Sequence, residues 1–186
     1  MKTYTEQELK AQCTPDIIKK MVYVFEINSP KYGIKQVTID AEDKDRVLKY
    51  KWYVRLDKKT GKFYVLSHDY SEGDKTIYLH RFITNCPKGF LVDHINHNTF
   101  KNTKDNLRVC SHSGNNKNAV KRKDYIYSKY KGVKWHEKDK RFHARIKCDG
   151  NRFHLGGFLT EEEAGEAYNK KAIELHGEFA CLNIID

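Results

Sequence analysis

The sequence predicts an α+β fold. Three observations carry that expectation. Short β-rich runs separated by turn residues fill the first half; a strand–loop–strand–helix pattern lies between Val92 and Asn118; and two strands of strict alternation precede a capped helix near the end. The chain has 186 residues, enough for one or two small domains.

Residues 1–20 are polar. Thr5 and Glu8 have capping-box spacing and Thr14-Pro15-Asp16 is a second helix-start signal, with a loosely held arm as the alternative. From Met21 the pattern changes. Met21 to Ile27 and Lys35 to Ile39 read as strands around the turn Ser29-Pro30-Lys31-Tyr32-Gly33, and a short helical stretch runs from Asp40 to Leu48. Trp52 to Arg55 and Phe63 to Leu66 form a hairpin, and Thr76 to Leu79 is a further strand. His80-Arg81 reads either as a phosphate contact through Arg81 or as a helix-start pair packed on the sheet.

The stretch from Val92 to Asn118 concentrates polar chemistry. Asp93-His94 follows the apolar run Phe90-Leu91-Val92, Asp105 to Val109 is a short strand pattern, and Ser111 is placed to cap a helix through Ser113-Gly114-Asn115-Asn116. Hydrolysing a phosphodiester requires a hydroxide, charge relief in the transition state and help for the leaving oxygen. One divalent cation and one neutral imidazole supply all three. Asp93 and the amide of Asn115 are oxygen donors of the kind a hard cation takes. On a regular pleat Asp93 and His94 point to opposite faces, so a bulge or a strand end must turn both toward one phosphate. His97, Asn98, Asn102 and His112 read as loop or helix-start residues, His112 being the rival ligand.

The last third alternates. In Arg141-Phe142-His143-Ala144-Arg145-Ile146-Lys147 the odd positions are polar or cationic and the even ones apolar, setting the former in a row about 7 Å apart on one face. Asp149-Gly150 is a hairpin turn, Arg152 and His154 repeat the outward pattern, and Lys131 to His136 reads as a first strand. Thr160-Glu161-Glu162-Glu163 opens a capped helix that Gly177 stops, with Ala164, Ala167, Tyr168, Ala172 and Leu175 on the sheet. Between Lys121 and Arg152 there are 12 Lys or Arg against 4 Asp or Glu. Together with the formal charge of +10, this favours a polyanion partner. The five cysteines are isolated and lack C-x-x-C spacing, which argues against a structural zinc knuckle and a secreted disulfide scaffold. No apolar leader or membrane-spanning run is present, so a cytoplasmic protein with no membrane partner is expected.

Two resemblances sharpen this reading. Asp93-His94, Asn106 in "DNLRV", Asn115 in "SHSGNN" and the upstream "YLHRFI" at Tyr78 to Ile83 resemble the phage and intron-encoded branch of the HNH nucleases, which carry a ββα-metal finger. The resemblance implies His94 as general base and Asp93 and Asn115 (or its neighbour Asn116) as ligands of magnesium or another divalent cation such as manganese. It gives Asn106 the task of tying down the loop and steering the His94 ring. It also implies a 5′-phosphate and a 3′-hydroxyl product, and a mobile-element (homing) or phage setting, hence a bacterial host cytosol. Separately, "YKGVKW" at Tyr130 to Trp135, "RIK" at Arg145 to Lys147, "LGGF" at Leu155 to Phe158 and the segment from Thr160 to Asn183 resemble the plant ethylene-response-factor (apetala-type) DNA-binding domain. That family lays a three-stranded sheet in the major groove. Carried over, Lys131, Lys134, Arg141, Arg145, Lys147, Arg152 and His154 face double-stranded DNA. His154 and Arg145 depart from the plant pattern, so base preference does not transfer.

The expected organisation is an N-terminal arm (1–20), an HNH nuclease domain (21–119) with its ββα-metal finger packed on a small antiparallel sheet, a basic linker (120–128), and an apetala-type domain (129–186) of three antiparallel strands plus one helix. The expected function is a site-directed DNA endonuclease. A catalytically inactive DNA-binding regulator is the alternative, and an RNA-directed enzyme a third reading that the B-form groove reader disfavours.

Overall fold

The computed structural model describes residues 21–70, 73, 75–120 and 128–185. The helix signals at Thr5 and Thr14, the arm itself and the basic run Lys121-Arg122-Lys123 lie outside the described residues. The fold is mixed α+β with several small sheets and few helices. It divides into two compact units, Met1–Val109 and Cys110–Asp186.

In the first unit, β1 (Val22–Ser29) and β2 (Gly33–Asp40) form the expected antiparallel hairpin, in register from Val22↔Asp40 to Ser29↔Gly33. A 3₁₀ turn (Ala41–Asp43) and helix α1 (Lys44–Val47) follow. Strands β3 (Tyr53–Leu56), β4 (Phe63–Asp69) and β5 (Lys75–Tyr78) make an antiparallel sheet in sequence order, then helix α2 runs over Leu79–Ile83. Strand β6 (Leu91–His94) pairs with β8 (Leu107–Cys110), while β7 (Lys101–Asn102) adds parallel to β2. The core joins these elements: Ile27, Val37, Ile39, Val47, Trp52, Val54, Val65, Leu79, Ile83 and Leu107 bury against one another. Trp52 is buried together with its polar edge because Nε1 donates to the Val47 carbonyl at 2.7 Å.

The second unit opens with helix α3 (His112–Lys117), capped as expected by Ser111, whose side chain accepts from the Gly114 amide. Its side-chain partners among the described residues lie in the second unit. A Cβ at Gly114 would lie 3.1 Å from the Phe179 ring, tighter than ordinary contact, and Ser113 and Lys117 both reach Asp149. Strands β9 (Val133–His136), β10 (Arg141–Cys148) and β11 (Asn151–Phe158) form an antiparallel sheet in the order β11-β10-β9. The Asp149-Gly150 turn has φ of 47° and 87°, the paired left-handed conformation of a type I′ hairpin. Helix α4 (Glu161–His176) starts in the full capping box read from the sequence, Thr160 and Glu163 each bonding the other's backbone. Ala164, Tyr168 and Ala172 are buried on the sheet, with Ala167 and Leu175 partly so.

Gly132 marks the tightest point of this packing. Its φ is +78°, and a Cβ there would lie 2.1 Å from the Tyr168 ring and 2.6 Å from the Arg145 carbonyl oxygen. Neither can retreat, since Tyr168 is buried and the carbonyl belongs to β10. Gly132→Ala therefore combines overpacking with backbone strain, and we expect a loss on the order of 3 kcal/mol or more. Denaturation of the full chain with hydrogen exchange at α4 amides measures it. Unaltered protection in α4 would contradict this packing.

Candidate functional site

Asp93 and His94 lie at the end of β6, and Asn106 lies in the segment leading into β8. Asp93 and His94 are both buried, at 7% and 6% exposure, although adjacent in the chain. Asp93 Oδ2 accepts two bonds from Arg108 on β8, from Nε at 2.9 Å and from Nη2 at 2.7 Å. His94 Nε2 lies 3.1 Å from Oδ1 of Asn102. Asn102 Nδ2 donates to the Thr99 carbonyl at 3.0 Å, so its oxygen is the atom turned to the ring. The shared proton then sits on His94 Nε2, and the basic lone pair is on Nδ1. Burial holds His94 below the ordinary imidazole range; the Asn102 bond and the Asp93 charge pull the other way without reversing it. The result is a neutral imidazole at neutral pH, the state a general base requires.

Asn106 does part of what was expected. Its Oδ1 accepts from the Asn96 amide at 3.0 Å and its Nδ2 donates to the Lys101 carbonyl at 2.7 Å, while its own carbonyl takes the Ile95 amide. It therefore spans the loop from one side to the other. The bond to the His94 ring, expected from Asn106, comes from Asn102, a residue that looked like ordinary loop. The remaining asparagines build Asx turns, Asn96 Oδ1 to the Asn98 amide and Asn98 Oδ1 to the Phe100 amide. His97 occupies a left-handed position in this loop at φ 65°.

Arg81 is engaged within the fold. Its guanidinium bonds the carbonyls of Phe90, Cys86 and Pro87 and so braces the turn that leads into β6. His80, on α2, packs edge-on against His94 with ring centroids 5.3 Å apart. Sequence reasoning missed Arg108 and Asn102. An arginine in an otherwise apolar strand run, opposite a run holding Asp93, was a signal for the first. Nothing local distinguishes the second.

Asp93 is an oxygen donor of the class that hard divalent cations take, and in this structure its Oδ2 is paired with the Arg108 guanidinium. Asn115 and Asn116 lie on α3 of the second unit, with His112 exposed at its start.

In the second unit, Lys134, Arg141, Arg145, Lys147, Arg152 and His154 are exposed on one sheet. The register sets Arg145 opposite His154 and Lys147 opposite Arg152. Lys131 departs from this group. Its Nζ donates to the Lys117 carbonyl at 2.9 Å and stands over the Tyr168 ring, and burial holds its pKa below the usual lysine value. It lines a cavity of about 630 Å³ together with Lys117, Arg145, Lys147 and His176.

Burial also pushes His80 down to about 3, with His94 and Arg81 adding to the effect. A histidine at 6.5 when unfolded and near 3 when folded binds a proton only in the unfolded state between those values. Stability is then full above about 6.5 and falls as pH drops toward 3. Between pH 7 and 4.5 this costs roughly 2–3 kcal/mol. His80→Phe, which keeps an aromatic ring, should show a shallower pH dependence in urea denaturation, and equal slopes for the two proteins would refute it.

No family model matches the chain. It is 45% identical over 58 residues to an ethylene-responsive transcription factor of Arabidopsis thaliana, a match covering 30% of this chain and 14% of that protein. An AP2-like ethylene-responsive transcription factor of Oryza sativa subsp. japonica matches equally, over 9% of its own length. An uncharacterized HNH endonuclease of Acanthamoeba polyphaga mimivirus is 36% identical over 176 residues, covering 91% of this chain and 85% of that protein. On the strength of this near full-length likeness, the chain belongs to the HNH endonuclease family.

Proposed function

We propose that this protein is a site-directed DNA endonuclease, of the homing type, that hydrolyses phosphodiesters with one divalent cation, magnesium or manganese, and a histidine general base. The observation that carries the reading is the buried neutral imidazole of His94, its proton pinned by Asn102, beside the carboxylate of Asp93. His94 Nδ1 takes the proton from the attacking water. Arg108 holds the Asp93 carboxylate in one orientation for metal binding, and Asn106 keeps the loop that carries Asn102 closed. Asn115 enters as the second oxygen ligand on the family resemblance alone. When bound, the cation offsets charge on the phosphorane-like transition state and on the departing 3′ oxygen. The products are a 5′-phosphate and a 3′-hydroxyl.

In the same proposal the exposed cations of β9, β10 and β11 hold double-stranded DNA through phosphate and groove contacts. The AP2-like likeness and the exposure of Lys134, Arg145 and Arg152 support this.

Incubation with supercoiled plasmid should give metal-dependent cleavage that chelation stops and His94→Ala abolishes, with Asn102→Ala reducing the rate by about 10–100-fold. Tight DNA binding with no cleavage in any divalent metal would favour a catalytically inactive regulator. Lys134→Ala and Arg145→Ala should each weaken binding and lower its salt slope by about 1. Unchanged affinity in both would remove the sheet from the interface.

A further inference from the structure

We infer that His136, Asp139 and His143 form a separate metal site, one suited to a borderline transition-metal dication such as zinc, nickel or cobalt(II). His136 ends β9, Asp139 lies in the turn after it, and His143 sits on β10. The register pairs His136 with Arg141, so His143 is its diagonal neighbour on the same face. The two rings stack with centroids 4.7 Å apart at 25°. Asp139 lies between them, with Oδ1 2.9 Å from His136 Nδ1 and Oδ2 2.7 Å from His143 Nε2. One ligand atom from each residue lies within 4.8 Å of the others.

Around a tetrahedral zinc, ligand atoms stand roughly 3.3 Å apart, as follows from metal–ligand lengths near 2.0–2.1 Å. The observed spread therefore needs only a small adjustment. His136 and Asp139 have room for it, since both side chains are 43% exposed. His143 is the anchored member, at 14%. Its second ring nitrogen already has a partner, because His154 Nε2 lies 3.0 Å from His143 Nδ1. That is the outer-sphere bond a metal-ligating histidine normally keeps. Two imidazoles and one carboxylate, leaving a position for water, form a donor set that zinc and its neighbours prefer over magnesium. The lack of C-x-x-C spacing bears on cysteine sites alone. Asp139 is also a carboxylate on a face otherwise rich in Lys134, Arg145 and Arg152. A bound dication reverses that local sign and ties the β9–β10 turn to the middle of β10.

Cobalt(II) titration of the full chain tests the assignment, because a site of low coordination with nitrogen ligands gives an intense visible d–d absorption that an all-oxygen octahedral site does not. One equivalent should produce the band in the wild-type protein and in Asp93→Ala, and zinc should displace it. The band should vanish in His136→Gln/His143→Gln and weaken in Asp139→Asn, a change that keeps hydrogen-bonding capacity at the turn; far-UV circular dichroism checks that each variant is folded. A wild-type protein without the band at saturating cobalt would overturn the site. So would a band that survives in folded His136→Gln/His143→Gln, or one that disappears in Asp93→Ala.

Discussion

The bond between His94 and Asn102 depends on a pairing far from both in sequence. Asn102 belongs to β7, which runs parallel to β2 with Ile39 opposite Asn102. Its side chain is 1% exposed, and a buried amide is tolerable only when its donor and acceptor are both satisfied. Thr99 takes the donor and His94 engages the acceptor. Around this point β2 holds the loop twice more: the Thr38 amide bonds the Phe100 carbonyl, and Asp40 accepts from the Lys104 amide at 2.7 Å. The orientation of one imidazole is thus a property of the hairpin sheet, transmitted through three consecutive residues of its second strand.

The arginines of the first unit that sit near this region work inward. Arg108 fixes Asp93, Arg81 gathers three carbonyls before β6, and Arg46 joins Asp43 and the Ile83 carbonyl. A guanidinium suits such work because its planar fork is always charged and offers several donors at once. The cations of the second unit's sheet mostly point to solvent. Formal charge is therefore a poor guide to where a polyanion meets this chain, because the same residue type serves packing in one unit and surface potential in the other.

This difference also explains what the sequence disclosed. Alternation from Arg141 to Lys147, the Asp149-Gly150 turn and the Thr160–Glu163 box are local signals; the turn and the box match the structure, and the alternation holds except at Phe142 and His143, which are both half-buried. Most strands of the first unit were legible for the same reason, although β4 runs three residues past the expected Leu66 and the two-residue β7 carries no local signal. The adjacent pair Asp93-His94 stood out in the sequence; the partner of the ring did not. Asn96, Asn98, Asn102 and Asn106 all look alike in a polar loop, and only the parallel pairing with β2 selects Asn102. Arg81 was ambiguous because a cation beside a turn suits phosphate or carbonyl equally. Lys131 precedes the start of β9 at Val133; the family resemblance set it among the DNA-facing cations, whereas here its Nζ bonds the Lys117 carbonyl.

The sheet of the second unit sets like charges in register, as at Lys147 opposite Arg152. Such pairs are unfavourable in isolation. The fold tolerates them because its stability comes from the other face, where Ala144, Ile146, Tyr168 and Ala172 are buried against α4. The back face fixes the strands and leaves the front face to be selected for charge. Asp139 differs from Glu137 in the same turn, which pairs with Lys140. The Asp139 carboxylate holds two imidazoles rather than a lysine or arginine. A surface optimised only for a polyanion would have no use for it. A carboxylate kept between two stacked histidines is better explained by a cation that all three can share.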